Sequence, residues 1–240
     1  MIKNIKNIDI NYIQYGNPKG KNIVLLHGWG QNIEMMKPIG DNLEDFHITI
    51  LDFPGFGESS EPEHALTIYD YTDILEELLN ELNIKNPIVM GHSFGGRVAI
   101  VYASRNKVEK LVLFGAPCVR EERKSVKETV LKGLKKLPGM NSLGEYMKKF
   151  IGSEDYRNAS PVMRETLVNT VNEDLSDCAK KIETPTLLIW GTNDQAAPIE
   201  DAKKLETLLV DGALIELPGL THYAYLEALP QVINILNNFL

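Results

Sequence analysis

The apolar positions of this chain fall into two rhythms. One is short and nearly unbroken: NIVLLH at 22–27, PIVMGH at 87–92, KLVLFG at 110–115 and TLLIWG at 186–191 carry few polar side chains. Strands buried on both faces read this way, which implies a mostly parallel sheet covered by helices. Together with more mixed stretches they predict strands over Ile8–Tyr15, Asn22–His27, His47–Asp52, Ile88–His92, Val108–Phe114, Thr186–Gly191 and Ala213–Leu217. The other rhythm is helical. Thr67-Ile68-Tyr69-Asp70 resembles a capping box with Asp in its third position. From there Ile68, Tyr71, Leu75, Leu78, Leu79 and Leu82 recur at three- and four-residue steps and make one stripe. Gly95–Ser104, Ile199–Leu209 and Leu229–Leu240 read as further helices. Strands alternating with helices predict an α/β, doubly wound architecture.

The alternation breaks between Phe114 and Thr186, where no strand pattern occurs. Val126, Val130, Leu134 and Leu137 share one face of a helix that Pro138-Gly139 ends, and helical patches follow at Tyr146–Ile151 and Pro161–Val171. The stretch is too long for a simple loop. It reads as a helical cap over 117–184, inserted between two strands of a core made of 1–116 and 185–240. Arg120, Arg123, Lys124, Lys127, Lys132, Lys135 and Lys136 crowd its first helix, largely off the apolar face. A solvated surface explains them; steering of anionic substrates is the sharper reading.

Composition acts mainly by exclusion. The 240 residues are 43% hydrophobic and 24% charged, ordinary for a globular chain with one substantial core. A net charge of −8 argues against binding a phosphate backbone, so no nucleic-acid partner is expected. Apolar runs such as Ile23–Leu26 fall far short of the roughly 18 to 20 residues of a bilayer span. The beginning, MIKNIKNIDI, has no apolar signal-peptide region. Cys118 and Cys178 are too few for a disulfide scaffold. The expectation is a cytoplasmic protein without a membrane partner.

Gly91-His92-Ser93-Phe94-Gly95-Gly96 lies between a strand and a helix, the context that gives G-x-S-x-G meaning. So tight a turn strains its central residue, and small neighbours two positions away relieve the crowding. The hydroxyl of Ser93 should then project above the sheet, near the positive end of the following helix. A serine needs a base to become a nucleophile. His222 follows the last predicted strand, at the carboxyl edge where sites of open α/β sheets form. Of the other histidines, His92 should turn its side chain away, and His27 should bond to neighbouring backbone. His47 and His64 read as surface or loop residues. Asp194, in Gly191-Thr192-Asn193-Asp194, also follows a strand and is the acid that would orient the base. Glu200 and Asp201 fall inside a helix, as solvated charges would. Two backbone N–H groups should hold an oxyanion: Phe94, after the serine, and Trp29, in the Gly-flanked loop His27-Gly28-Trp29-Gly30.

HGWG (27–30), DFPGFGES (52–59), GHSFGG (91–96), GTND (191–194) and GLTHY (219–223), in this order, resemble the α/β-hydrolase superfamily over nearly the whole chain. The resemblance implies an eight-stranded, mostly parallel sheet with flanking helices, and gives Asp52–Ser59 a part in shaping the site's floor. HGWG and GHSFGG are similar to microbial carboxylesterases, including the esterase that demethylates pimeloyl-acyl-carrier-protein methyl ester. That similarity implies a serine hydrolase for carboxylic esters, free or carrier-bound, with Ser93, Asp194 and His222 as the triad, Trp29 and Phe94 as oxyanion donors, and no metal or organic cofactor. Serine at position 93 departs from the aspartate of haloalkane dehalogenases and epoxide hydrolases, and GHSFGG departs from the GGSWG of prolyl iminopeptidases. Thioesterases, C–C hydrolases and acyltransferases share the triad, and ligand-sensing receptors share the fold. Gln195-Ala196-Ala197-Pro198 departs slightly from the polar-residue–Pro pattern of the superfamily.

Overall fold

The computed structural model describes residues 1–119 and 159–240. Along the chain the elements are β1 (Ile2–Ile5), β2 (Ile8–Gly16), β3 (Asn22–Leu26), α1 (Ile33–Gly40), β4 (His47–Leu51), α2 (Ile68–Glu81), β5 (Ile88–His92), α3 (Phe94–Arg105) and β6 (Lys110–Phe114). After the undescribed stretch come α4 (Pro161–Asn172), α5 (Ser176–Ala179), β7 (Thr186–Gly191), α6 (Ile199–Leu208), β8 (Gly212–Leu217), α7 (Ala224–Glu227) and α8 (Leu229–Phe239). The strands form an eight-stranded sheet in the order β1-β2-β4-β3-β5-β6-β7-β8. β2 runs antiparallel to both β1 and β4, and every other pairing is parallel. The all-apolar runs are the central strands, and helices cover both faces of the sheet. One apolar layer holds Leu75, Leu78 and Val98 from α2 and α3. The other holds Met36, Val232 and Leu236 from α1 and α8.

Besides the short helices α5 and α7, two elements escape the sequence pattern. β1 joins β2 through Lys6 and Asn7, which both take positive φ (49° and 64°), as a two-residue hairpin turn requires. Lys-Asn lacks the glycine that usually marks such a turn. α1 contains Pro38 and ends at Gly40, both poor omens for a helix, yet Asn32 caps it by accepting from the Glu34 N–H, and it buries Ile33, Met36 and Ile39. The capping box at Thr67 and Asp70 forms in both directions.

Between β6 and β7 the described residues hold α4 and α5 and no strand. The predicted basic helix, with Val126, Val130, Leu134 and Leu137, and the Tyr146–Ile151 patch lie outside the described residues. Cys118 and Cys178 are free thiols, and burial pushes the Cys118 thiol up to about 12. Among the described residues, no helix is long and apolar enough to cross a membrane.

Candidate active site

Parallel register brings the ends of the central strands together. His92, the last residue of β5, pairs with Phe114, the last of β6, and Phe114 pairs with Ile189 of β7. The chain leaves the sheet at this edge. Ser93 turns straight into α3 with φ 51° and ψ −112°, the strained backbone that the elbow pattern requires. Its N–H donates to the Phe114 carbonyl at 2.9 Å. A Cβ on Gly95 would stand 2.4 Å from the Leu26 carbonyl oxygen and 2.5 Å from that of His27, so only glycine lets α3 start this close to the end of β3. Ser93 is only 3% exposed. The ends of β3 and β6 and the loop carrying His222 all approach the elbow.

Asp194 and His222 come from two loops zipped together. The N–H of Asn193 donates to the Leu220 carbonyl at 2.9 Å, its side-chain amide to the Gly219 carbonyl at 3.1 Å, and the Gly219 N–H to Oγ1 of Thr192 at 2.8 Å. The result is a 2.7 Å contact between His222 Nδ1 and Asp194 Oδ2. The other carboxylate oxygen accepts the N–H groups of Ala196 and Ala197, both at 2.8 Å. Those bonds use backbone, so the unusual Gln195-Ala196-Ala197 costs the carboxylate nothing. The Asp194 side chain is 1% exposed and that of His222 13%, so the pair is shielded yet reachable. With Nδ1–H directed at the carboxylate, Nε2 carries the lone pair, and the imidazole can accept a proton there. A Cβ on Gly115 would stand 3.1 Å from both Asp194 Oδ2 and His222 Nδ1, which puts the pair one residue beyond the Phe114 that receives Ser93.

Trp29 and Phe94 also meet. Their rings pack edge to face at 5.4 Å, and Phe56 lies 4.8 Å from Trp29. Phe53 packs on Phe94 at 5.2 Å and on the His27 ring at 5.1 Å, so the 52–59 loop supports the aromatic side of the site. Asp52 fixes that loop by accepting from Glu58 and Ile33 backbone N–H groups and from the Asn11 side chain. His27 bonds to backbone as expected: Nδ1–H donates to the Gly28 carbonyl and Nε2 accepts from the Phe53 N–H. Complete burial lowers it to about 4.

A model of the alpha/beta hydrolase fold matches residues 21–143. The chain belongs to the alpha/beta hydrolase fold family. It is similar to Lipase 3 of Moraxella sp., 26% identical over 93% of this chain and 78% of that protein. A 2-hydroxy-6-oxononadienedioate/2-hydroxy-6-oxononatrienedioate hydrolase of Cupriavidus pinatubonensis is also 26% identical, over 76% of this chain and 74% of its own. An esterase from Exiguobacterium antarcticum shares the fold with a TM-score of 0.79 at 21% identity, covering 99% of this chain and 98% of that one.

Three features of this alpha/beta hydrolase are absent from the motif reading. His92 does not turn away: it is fully buried, and its ring lies 4.7 Å from that of His222, tilted at 50° to it. The elbow gives that side chain no exit to solvent, so it points beneath the neighbouring loops. Gln31 accepts the Gly28 N–H at 2.8 Å and holds the HGWG turn. Arg97, one turn into α3, donates to the carbonyls of Pro117, Thr170 and Glu173 at 2.6, 3.0 and 2.6 Å. Its one legible signal is a lone charge in the run RVAIVYA.

Proposed function

We propose that this chain is a serine hydrolase that cleaves carboxylic esters. The observation that carries the reading is the shielded Asp194–His222 pair at 2.7 Å, lying beside the strained elbow of Ser93. In this reading Ser93 attacks the acyl carbonyl while His222 Nε2 takes its proton. Backbone N–H groups of Trp29 and Phe94 hold the oxyanion. His222 returns the proton to the leaving alcohol, and an acyl ester remains on Ser93. Water, deprotonated by the same imidazole, releases the acid. Asp194 holds the tautomer and stabilises the imidazolium without taking the proton. The apparatus needs no metal or cofactor. In this reading the 117–184 insertion is the cap, and its lysines and arginines, among them Arg120, Arg123, Lys124 and Lys127, would favour an anionic ester, including one borne on an acidic carrier. The names of the lipase and esterase relatives support ester chemistry, and the 2-hydroxy-6-oxononadienedioate hydrolase relative marks the alternative, C–C bond cleavage.

The test is a Ser93→Ala variant with a fluorophosphonate probe and a p-nitrophenyl ester series. The expected result is a single labelled serine in the parent, and loss of labelling and of nearly all hydrolysis in the variant with folding unchanged. Full activity of the variant would overturn the mechanism. Labelling without turnover of any ester would move the reading to C–C bond cleavage or another acyl transfer.

A further inference from the structure

His92 stands directly before Ser93 and touches the two loops that the proposed chemistry needs. Its Nε2–H donates to the main-chain carbonyl of His222 at 3.0 Å. Its Nδ1 lies 3.2 Å from Oε1 of Gln31, the same oxygen that accepts the Gly28 N–H. A Cβ on Gly28 would stand 2.8 Å from that Nδ1 and 2.9 Å from that Oε1, so the cluster closes tightly around the turn before Trp29. The ring is walled by Tyr225 at 4.7 Å and Tyr223 at 5.5 Å. Sheet hydrogen bonding fixes the strand ends, but β3–β5 pairing stops at Leu26 and Gly91, short of the loop that carries Trp29. The bond to the His222 carbonyl therefore joins the main chain of the proposed base to the residue preceding the proposed nucleophile.

We propose that His92 is a positioning residue: its Nε2–H bond ties the Gly219–Tyr223 loop to the elbow, and its ring packs against the His27–Gln31 turn that Gln31 closes, setting His222 and Trp29 in register with Ser93. A rigid imidazole suits the task because it reaches both loops with two rotatable bonds. Burial, reinforced by the neighbouring His222, holds it well below the usual histidine range, so the clamp adds no charge beside the base. The catalytic consequence rests on the ester-cleaving reading, whereas the clamping of the two loops does not.

The experiment compares His92→Phe, His92→Gln and Gln31→Leu in the full chain. Phenylalanine keeps a packed ring and removes the donor; glutamine restores a donor near the Nε2 position. His92→Phe should lower kcat for a neutral p-nitrophenyl ester about 10- to 100-fold while KM moves much less, the signature of a misplaced base rather than lost binding. Amide hydrogen exchange at 220–224 should accelerate in it about tenfold, the worth of one hydrogen bond, with Ile88–Gly91 unchanged. His92→Gln should recover most of kcat and the exchange protection at 220–224. Gln31→Leu, at a partly exposed position, removes the acceptor of the Gly28 N–H and should accelerate exchange at 28–31. Unchanged exchange at both loops in the folded variants, or His92→Gln behaving like His92→Phe, overturns the proposal. A Ser93→Ala arm separates the two ideas: if that variant still cleaves the ester, the function reading fails, and loop exchange still decides the clamp.

Discussion

Asp194 has no spare lone pairs facing a donor it could abandon. One oxygen serves the Ala196 and Ala197 N–H groups and the other faces His222 Nδ1. In Asp194→Asn the amide oxygen is drawn to the two backbone donors, and the amide NH₂ then confronts Nδ1. Nδ1 must accept, so the imidazole proton moves to Nε2, where the base needs its lone pair. The expected loss in kcat is about 10⁴-fold with the fold intact, as for other triads. Steady-state hydrolysis of a p-nitrophenyl ester checks it; a rate within tenfold of the parent would assign the orienting role to another carboxylate. The pairing of Asp194 with His222 is legible in the sequence because each follows an apolar strand, and parallel register sends both to one edge. Gln31 and Gly115 are not legible. Their partners lie 61 and at least 79 positions away, His92 for Gln31 and Asp194 for Gly115, and no local pattern encodes those meetings.

At the scale of elements, what periodicity can see is a face, and what it cannot see is a fastening. The capping box and stripe of α2 and the apolar strands are local signals, and the structure repeats them to within a residue or two. β1 and α1 depend on tertiary burial that overrides a turn without glycine and a helix with proline. Arg97, on α3, is 5% exposed, and its guanidinium holds carbonyls at both described ends of the β6–β7 connection: Pro117 on one side, Thr170 of α4 and Glu173, just past its end, on the other. Arg97→Met keeps the apolar stem and removes these donors, leaving buried carbonyls without them. The expected cost is about 2–4 kcal/mol, from losing charged hydrogen bonds inside the protein. Urea denaturation measures it. Limited proteolysis should also cut faster near α4 than in the sheet; equal stability and an unchanged cleavage pattern would show that α4 is held by its apolar contacts alone.

For the molecule as a whole, two buried histidines make stability depend on pH. His27 is lowered to about 4, chiefly by burial, against the opposing pull of the Gly28 carbonyl and Asp52. His92 is also held well below the usual histidine range, by burial first and then by His222. Both are neutral in the folded chain and ordinary, near 6.5, in the unfolded one. As pH falls the unfolded chain takes up these protons first, so unfolding is favoured: their contribution is complete above about 6.5 and is lost progressively below it, down to about 4 for His27. For His27 alone the loss by pH 4 is about 3 kcal/mol. Ordinary carboxylates titrate near 4, so the interval from about pH 6.5 to pH 5 belongs mainly to histidines. Urea midpoints measured across that interval should fall steadily with acid. His27→Asn should be less stable at pH 8, having lost its contacts to Gly28 and Phe53, but its midpoint should fall less steeply, since one buried base has gone. A parent chain with a flat profile from pH 7 to pH 5 would mean that neither ring is held neutral in the folded state. It would also remove the reason that His92 adds no charge beneath His222.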